Sequence, residues 1–424
     1  MEKTIQSKIF LYSLPVYYIY NMLLDVVFNR GSAAGIVLNM VVLAMLVYFS
    51  MGNPFNKKFW YLFVWFTFNI ILILCNSSNI QFSSKVFCIN AMSMLCFPLA
   101  FNLISTNQQI VLFLKVLIAV LLLYILNLIL ANTLDWGQAY GDVDSDFAVQ
   151  GGASIVTGSM PVVIALMMAP VIFYLIPQKK YFIGLWALTT VCMFLIFKRT
   201  NIASLVIGYV LFYAFYKFYN YKLGLSTIRV SRKTKIRVVI GGLSLLILFA
   251  LIFGKIILAQ LDMRGKELHE VPLQDQGRVV EWRMVKEVIL ESNNTGTILF
   301  GKEPYNTSGN YGDSSARNIH GDFSIVLFST GVVGFIYYWG MQIFIALLIF
   351  KYAKRRYIHS TQDILFFSAY ASSSLIWFIC SFSATLDYFL VSAVYYMTHG
   401  AILRYFWNKY QVQERLKIIQ AYDY

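Results

Sequence analysis

The sequence predicts an all-α, polytopic membrane protein with about twelve transmembrane helices, and three observations predict it. Of the 424 residues, 59% are hydrophobic and 13% are charged, whereas a soluble domain carries about 25% charged residues. The apolar residues gather into blocks near the ~20 residues that a helix, rising about 1.5 Å per residue, needs to cross a bilayer. These blocks are continuous rather than alternating, and lipid offers a backbone no hydrogen bonds, so helices follow rather than a closed barrel.

The spans read approximately as 9–28, 33–51, 59–75, 86–104, 110–130, 155–176, 181–197, 201–221, 238–258, 323–350, 362–382 and 387–407. The first block follows Lys3 and Lys8 as a signal peptide would. It lacks a small-x-small cleavage site, contains Pro15 and is followed at once by another block, so it reads as a retained first span. With the N-terminus inside, the inner segments hold Lys57 and Lys58, Lys179 and Lys180, and the cluster Lys222, Arg229, Arg232, Lys233, Lys235 and Arg237. Lys351, Lys354, Arg355 and Arg356 follow, then Lys409, Arg415 and Lys417. This distribution satisfies the positive-inside rule and leaves both termini cytoplasmic. The organisation is then nine helices over 1–258, a long outer loop over 259–320, and three helices with a cytoplasmic tail over 321–424.

The net charge of +14 does not point to nucleic acid, because the basic residues fall in short runs between apolar blocks. Membrane lipid is the partner such runs imply. Cys75, Cys88, Cys96, Cys192 and Cys380 fall mostly inside or beside apolar blocks without a CxxC pair, and read as small hydrophobes.

Two outer segments hold the candidate chemistry. Residues 131–154 form an acidic loop with Asp135, Asp142, Asp144 and Asp146, and residues 259–320 form the longest polar stretch. Loops of such length without a role are uncommon. In the second, Arg278, Trp282, Val285 and Ile289 recur at helical spacing, as in an amphipathic helix at a membrane surface. Arg278 sits in its first turn, where the macrodipole disfavours a cation unless an anionic ligand lies near. The plainer alternative pairs Arg278 with Glu281 and Arg283 with Glu287 on a solvated face. Arg199, in Lys198-Arg199-Thr200-Asn201, falls on the outer side against the usual bias. It either snorkels to headgroups or grips phosphate through its planar fork.

His320 stands where the long loop returns to the membrane, before the span that follows. A helix N-terminus there disfavours imidazolium and leaves a neutral ring able to accept a proton; a lone interfacial histidine is the plainer reading. His359 falls on the cytoplasmic side and His399 inside the last span, leaving His269 and His320 for outer-face chemistry. In the acidic loop, Phe147 and Ala153 stand where a calcium loop needs glycine and glutamate, which argues against that motif and leaves open a looser metal site. The sequence holds no nucleotide-binding Gly-rich loop, zinc-type His/Cys spacing or catalytic-serine elbow.

The order of these features resembles the Wzy / O-antigen ligase superfamily of bacterial polysaccharide polymerases and ligases. Arg199-Thr200 opens an apolar helix, a basic connection and one further span follow, and the long loop carries Gly277-Arg278 with Trp282. The loop ends in His320-Gly321-Asp322-Phe323, followed by Ser329-Thr330-Gly331-Val332-Val333-Gly334. The family shows Asn after the histidine, where this chain has Gly321, and the motif-bearing part covers about 181–340. The resemblance implies a GT-C-like transmembrane glycosyltransferase fold that needs no nucleotide sugar, no cofactor and no metal. It implies transfer of a glycan from undecaprenyl pyrophosphate on the outer face of the bacterial cytoplasmic (inner) membrane. A polymerase transfers it to the next carrier-linked repeat and a ligase to lipid A core. Arg199, Arg278 and Arg283 would hold the pyrophosphate, and His320 would assist the attacking hydroxyl. The partners implied are undecaprenyl-pyrophosphate-linked oligosaccharide and a chain-length regulator of the Wzz type.

A Tyr- and Phe-rich chain without strong family consensus leans towards polymerase. Two other classes stay open: a lipid-linked oligosaccharide flippase, and a metal-dependent GT-C glycosyltransferase using the acidic loop. Polar residues concentrated in one late outer loop, rather than in two similar halves, favour an enzyme.

Overall fold

Wherever the sequence offers an unbroken apolar block within the described residues, the computed structural model forms a helix. The structure describes residues 2–27, 59–134, 139–140, 149–150, 199–224, 277–306, 319, 321–353, 358, 360–381 and 389–422, with isolated residues between 37 and 49 and at 164, 190, 236 and 240. The helices are α1 (Glu2–Val27), α2 (Trp60–Asn76), α3 (Ile80–Leu103), α4 (Asn107–Leu134) and α5 (Arg199–Leu223). After the long loop region come α6 (Gly277–Val285), a π turn (Lys286–Leu290), α7 (Thr295–Phe300), α8 (Asp322–Tyr352), α9 (Thr361–Cys380) and α10 (Phe389–Tyr422). A two-residue antiparallel ribbon, β1 (Ala139–Tyr140) with β2 (Val149–Gln150), is the only strand pairing among the described residues.

Among the described residues four helices are long and apolar enough to cross a membrane: Ile80–Leu103, Asn107–Asn127, Asp322–Tyr352 and Thr361–Cys380. Helices α1 to α5 and α8 to α10 overlie blocks read from the sequence as spans. The blocks at 155–176, 181–197 and 238–258, and most of 33–51, lie outside the described residues. α10 runs well past the end of its apolar block, because the tail from Asn408 onward is rich in helix formers that hydropathy does not register.

Hydrogen bonds give the helices their relative directions. At one end of the bundle, the Ser78 N–H at the α2–α3 turn donates to Glu303 Oε1 (2.7 Å), and the Asp322 N–H donates to Ser381 O (2.9 Å). At the opposite end, Asn408 Nδ2 donates to Ser105 O (2.7 Å), Tyr405 donates to Asp363 Oδ1 (2.6 Å), and Lys409 pairs with Asp363. α3 and α8 therefore run from the first end to the second, whereas α2 and α9 run back. α5 shares the direction of α3, since Ser204 meets Cys380 (3.2 Å) near its start and Tyr219 meets Phe367 near its finish (ring centroids 4.5 Å).

The core is aromatic. Trp377 stacks on Tyr395 (4.1 Å, 11°) and Phe323 on Trp339 (4.0 Å, 13°), contacts worth about 0.5–1.5 kcal/mol each beyond area burial. α10 lies close along α3 because position 400 is glycine: a Cβ there would stand 2.3 Å from Phe97 O. Small residues at such crossings are how membrane helices gain contact where lipid supplies no hydrophobic drive. The outward faces are apolar as well. In α8, Val333, Ile336, Ile343, Leu347 and Phe350 are exposed along one stripe, while Ile325, Ile345 and Ile349 are buried. Exposed apolar stripes on several long helices suit lipid rather than water.

Candidate functional site

α6 is short, and its inward face consists of Glu281, Val285 and Ile289, all nearly inaccessible. These positions fall at i, i+4 and i+8. On an α-helix such a row drifts by about 40° per step; the wider π turn at Lys286–Leu290 swings Ile289 back towards the face. Helical spacing in the sequence predicts Trp282 on this stripe, but Trp282 is 42% exposed and the buried face is rotated away from it. The inward position belongs instead to the carboxylate of Glu281.

Glu281 Oε1 accepts a hydrogen bond from the Gly321 N–H at 2.8 Å. Gly321 is the N-cap of α8 and has no side chain to cap its own helix. A helix N-terminus leaves N–H groups without intrahelical partners and favours negative charge, and Glu281 supplies both needs from another helix. The next N–H, that of Asp322, donates to Ser381 O at the end of α9. Asp322 is itself fully buried. The joint of α6, α8 and α9 thus holds two buried carboxylates, and Glu281 does not lie on a solvated face. A charged residue on the stripe of Val285 and Ile289 was the signal that could have singled it out.

Behind this joint lies a buried polar layer. Gln342 Nε2 donates to Tyr396 Oη at 2.6 Å, and Tyr370 Oη donates to Ile345 O at 2.7 Å. His399 is fully buried, with Nδ1 2.9 Å from Tyr395 O and Nε2 2.6 Å from Ser374 Oγ. The Tyr395 carbonyl can only accept, which assigns the proton to Nδ1 in the neutral ring and lets Ser374 donate to Nε2.

Below the joint α8 is broken. Gly331 has φ 63° and ψ −166°, a conformation open essentially to glycine alone. The turn after α7 fits into the break: the Lys302 N–H donates to Phe328 O (3.0 Å) and the Tyr305 N–H to Ser329 Oγ (2.9 Å). Contact is backbone to backbone, since a Cβ at Gly331 would lie 2.4 Å from the Leu299 carbonyl carbon. The long loop therefore reaches roughly 14 Å down α8 from Asp322, at about 1.5 Å per residue. Irregular backbone at such depth survives where protein covers it.

The predicted site residues stand as follows. Arg199 is the first residue of α5 and Arg278 the second of α6, so the first-turn position of Arg278 is as expected. Their side chains, and all of His320, lie outside the described residues, as do Asp135, Asp142, Asp144, Asp146 and His269. Arg283 is exposed, two residues and so about 200° around α6 from Glu281. Nearby, Lys286 and Glu291 form an exposed ion pair (2.7 Å), and the hydrogen bond and charge of Glu291 hold the Lys286 ammonium above its ordinary pKa. No cluster of three or more His, Cys, Asp or Glu side chains that could hold a metal occurs among the described residues.

The starts of α5, α6 and α8, far apart in sequence, thus meet at one end of the bundle around Glu281, Asp322 and Ser381. No protein-family model and no curated protein matches this chain.

Proposed function

We propose that the protein is a polysaccharide polymerase of the Wzy type, a metal-independent glycosyltransferase with about twelve spans and a GT-C-like fold. It transfers a glycan from undecaprenyl pyrophosphate to the next carrier-linked repeat. One observation supports this most: the helices that begin at Arg199 and Gly277, and the helix that follows His320, start at the same end of the bundle. Displacing a lipid pyrophosphate from an anomeric carbon develops negative charge on the leaving oxygen, and preplaced cations lower that barrier. Arg199 and Arg278 serve in that role, and Arg283 has the weaker geometric support. His320 accepts the proton of the attacking hydroxyl. The acceptor oxygen bonds to the anomeric carbon as the carrier pyrophosphate departs.

The helix directions also support the span count. α4 starts at the end opposite Glu303 and rises about 42 Å over its 28 residues, so it finishes at the end where α5 begins. This calls for an even number of spans between them and an odd number between α5 and α6, and the two and one read from the sequence satisfy both.

The broken α8 favours a second reading, a lipid-linked oligosaccharide transporter, because interrupted helices surround transport sites. One assay separates the two. Carrier-linked repeats extracted from a host lacking this protein are incubated with purified protein in detergent, with and without chelator. Polymerised glycan in both samples is expected. Growth only without chelator would move the chemistry to the acidic loop, and no growth in either sample would leave the transporter reading.

A further inference from the structure

We infer that Glu281 is a positioning residue for transfer, holding the first residues of α8 against the helix that carries Arg278; this rests on the polymerase reading above. Three features carry the inference. Glu281 is 1% exposed, and a buried carboxylate in a membrane bundle is costly unless it has a specific task. Its Oε1 takes the N–H of Gly321, which belongs to the peptide unit that joins His320 to Gly321. The local group that would take the N–H of an N-cap residue is a glutamate or glutamine at the third helix position, where α8 has Ser324, so the acceptor comes from another helix.

A cap supplied from α6 gains what a local cap lacks: it couples two helices. Glu281 lies three residues after Arg278, one turn along α6, so its hydrogen bond to Gly321 ties the start of α6 to the start of α8. The adjacent bond from the Asp322 N–H to Ser381 O anchors the same two residues of α8 to α9. Consecutive N–H groups are thus tied to two different helices, and the segment has little freedom to rotate. Reacting groups held this way keep their separation, and a misplacement of about 1 Å can cost roughly 10²-fold in rate.

Glu281→Gln retains an oxygen that can accept from Gly321 and removes only the charge, whereas Glu281→Ala removes the acceptor. Hydrogen–deuterium exchange of the peptide around Gly321 reads the bond without any substrate. Turnover with host-extracted carrier-linked repeats, normalised to inserted protein, reads the consequence. Glu281→Ala is expected to raise exchange at Gly321 and to lower kcat about 10²-fold while the KM for the repeat stays within about twofold. Glu281→Gln is expected to restore most of both. Unchanged exchange in Glu281→Ala would overturn the inference. So would raised exchange with wild-type kcat, which would make Glu281 a cap and nothing more. A wild-type protein inactive in the same assay would remove the polymerase reading, and the positioning role with it.

Discussion

At the scale of single residues, the proposed transfer reaction divides the histidines between chemistry and structure. His399 is fully buried and satisfied on both ring nitrogens. His399→Ala should therefore lower stability by about 1–3 kcal/mol, the cost of stranding buried partners. It should leave turnover per inserted protein near normal, as the melting temperature in detergent and the transfer assay would show. His320→Ala should do the reverse, with rate falling roughly 10²–10⁴-fold at normal insertion; near-normal turnover would remove it from the mechanism. Arg199→Lys should not restore full-length glycan on a gel, because an ammonium cannot fork onto two pyrophosphate oxygens. Rescue by lysine at normal protein levels would reduce its role to general electrostatics. The sequence made Arg199, Arg278 and His320 visible because each breaks a local expectation of charge or position. Glu281 stayed hidden because a glutamate near arginines has a ready explanation as a surface ion pair, and only its burial on the Val285 stripe contradicts it.

At the scale of elements, the long spans were legible because bilayer thickness imposes a length on every apolar block. The interruption of α8 was not, since hydropathy is blind to a backbone that turns aside inside an apolar run. Gly331-Val332-Val333-Gly334 marked the place without saying what happens there. Its reason is in the partner: the turn after α7 approaches so closely that neither Gly301 nor Gly331 has room for a Cβ. Gly331→Ala should be severely destabilising, since the φ of 63° costs an alanine about 1–3 kcal/mol and overlap with the Leu299 backbone adds to it. Gly340, in the same helix, has nothing within 4 Å of its would-be Cβ. Gly340→Ala should be neutral or stabilise by about 0.5–1 kcal/mol through helix propensity. Yields of monodisperse protein in detergent check the pair. Equal behaviour of the two variants would mean that the break in α8 does not depend on glycine.

At the scale of the whole molecule, two ends of different chemistry are set by the same chain. One end gathers Glu303, Glu281 and Asp322 with the starts of α5, α6 and α8; the other gathers Asp363, Lys351, Lys409 and the end of α10. The proposed function requires the second end, where the basic connecting segments gather, to face the cytoplasm. Helices joined by short connections run in opposite directions, α2 against α3 and α8 against α9. Orientation decides the proposal, because carrier-linked repeats meet a polymerase on the outer face. In a background without native cysteines, Asn76→Cys and Asn293→Cys should react with an impermeant maleimide on intact cells. Gln362→Cys and Val412→Cys should react only after the cells are opened. All four positions are exposed, so silence would not come from burial in the fold. The opposite pattern would place the joint around Glu281 in the cytoplasm. No outer-face transferase could work that way round, and the arginines at the starts of α5 and α6 would then be ordinary members of the positive-inside charge.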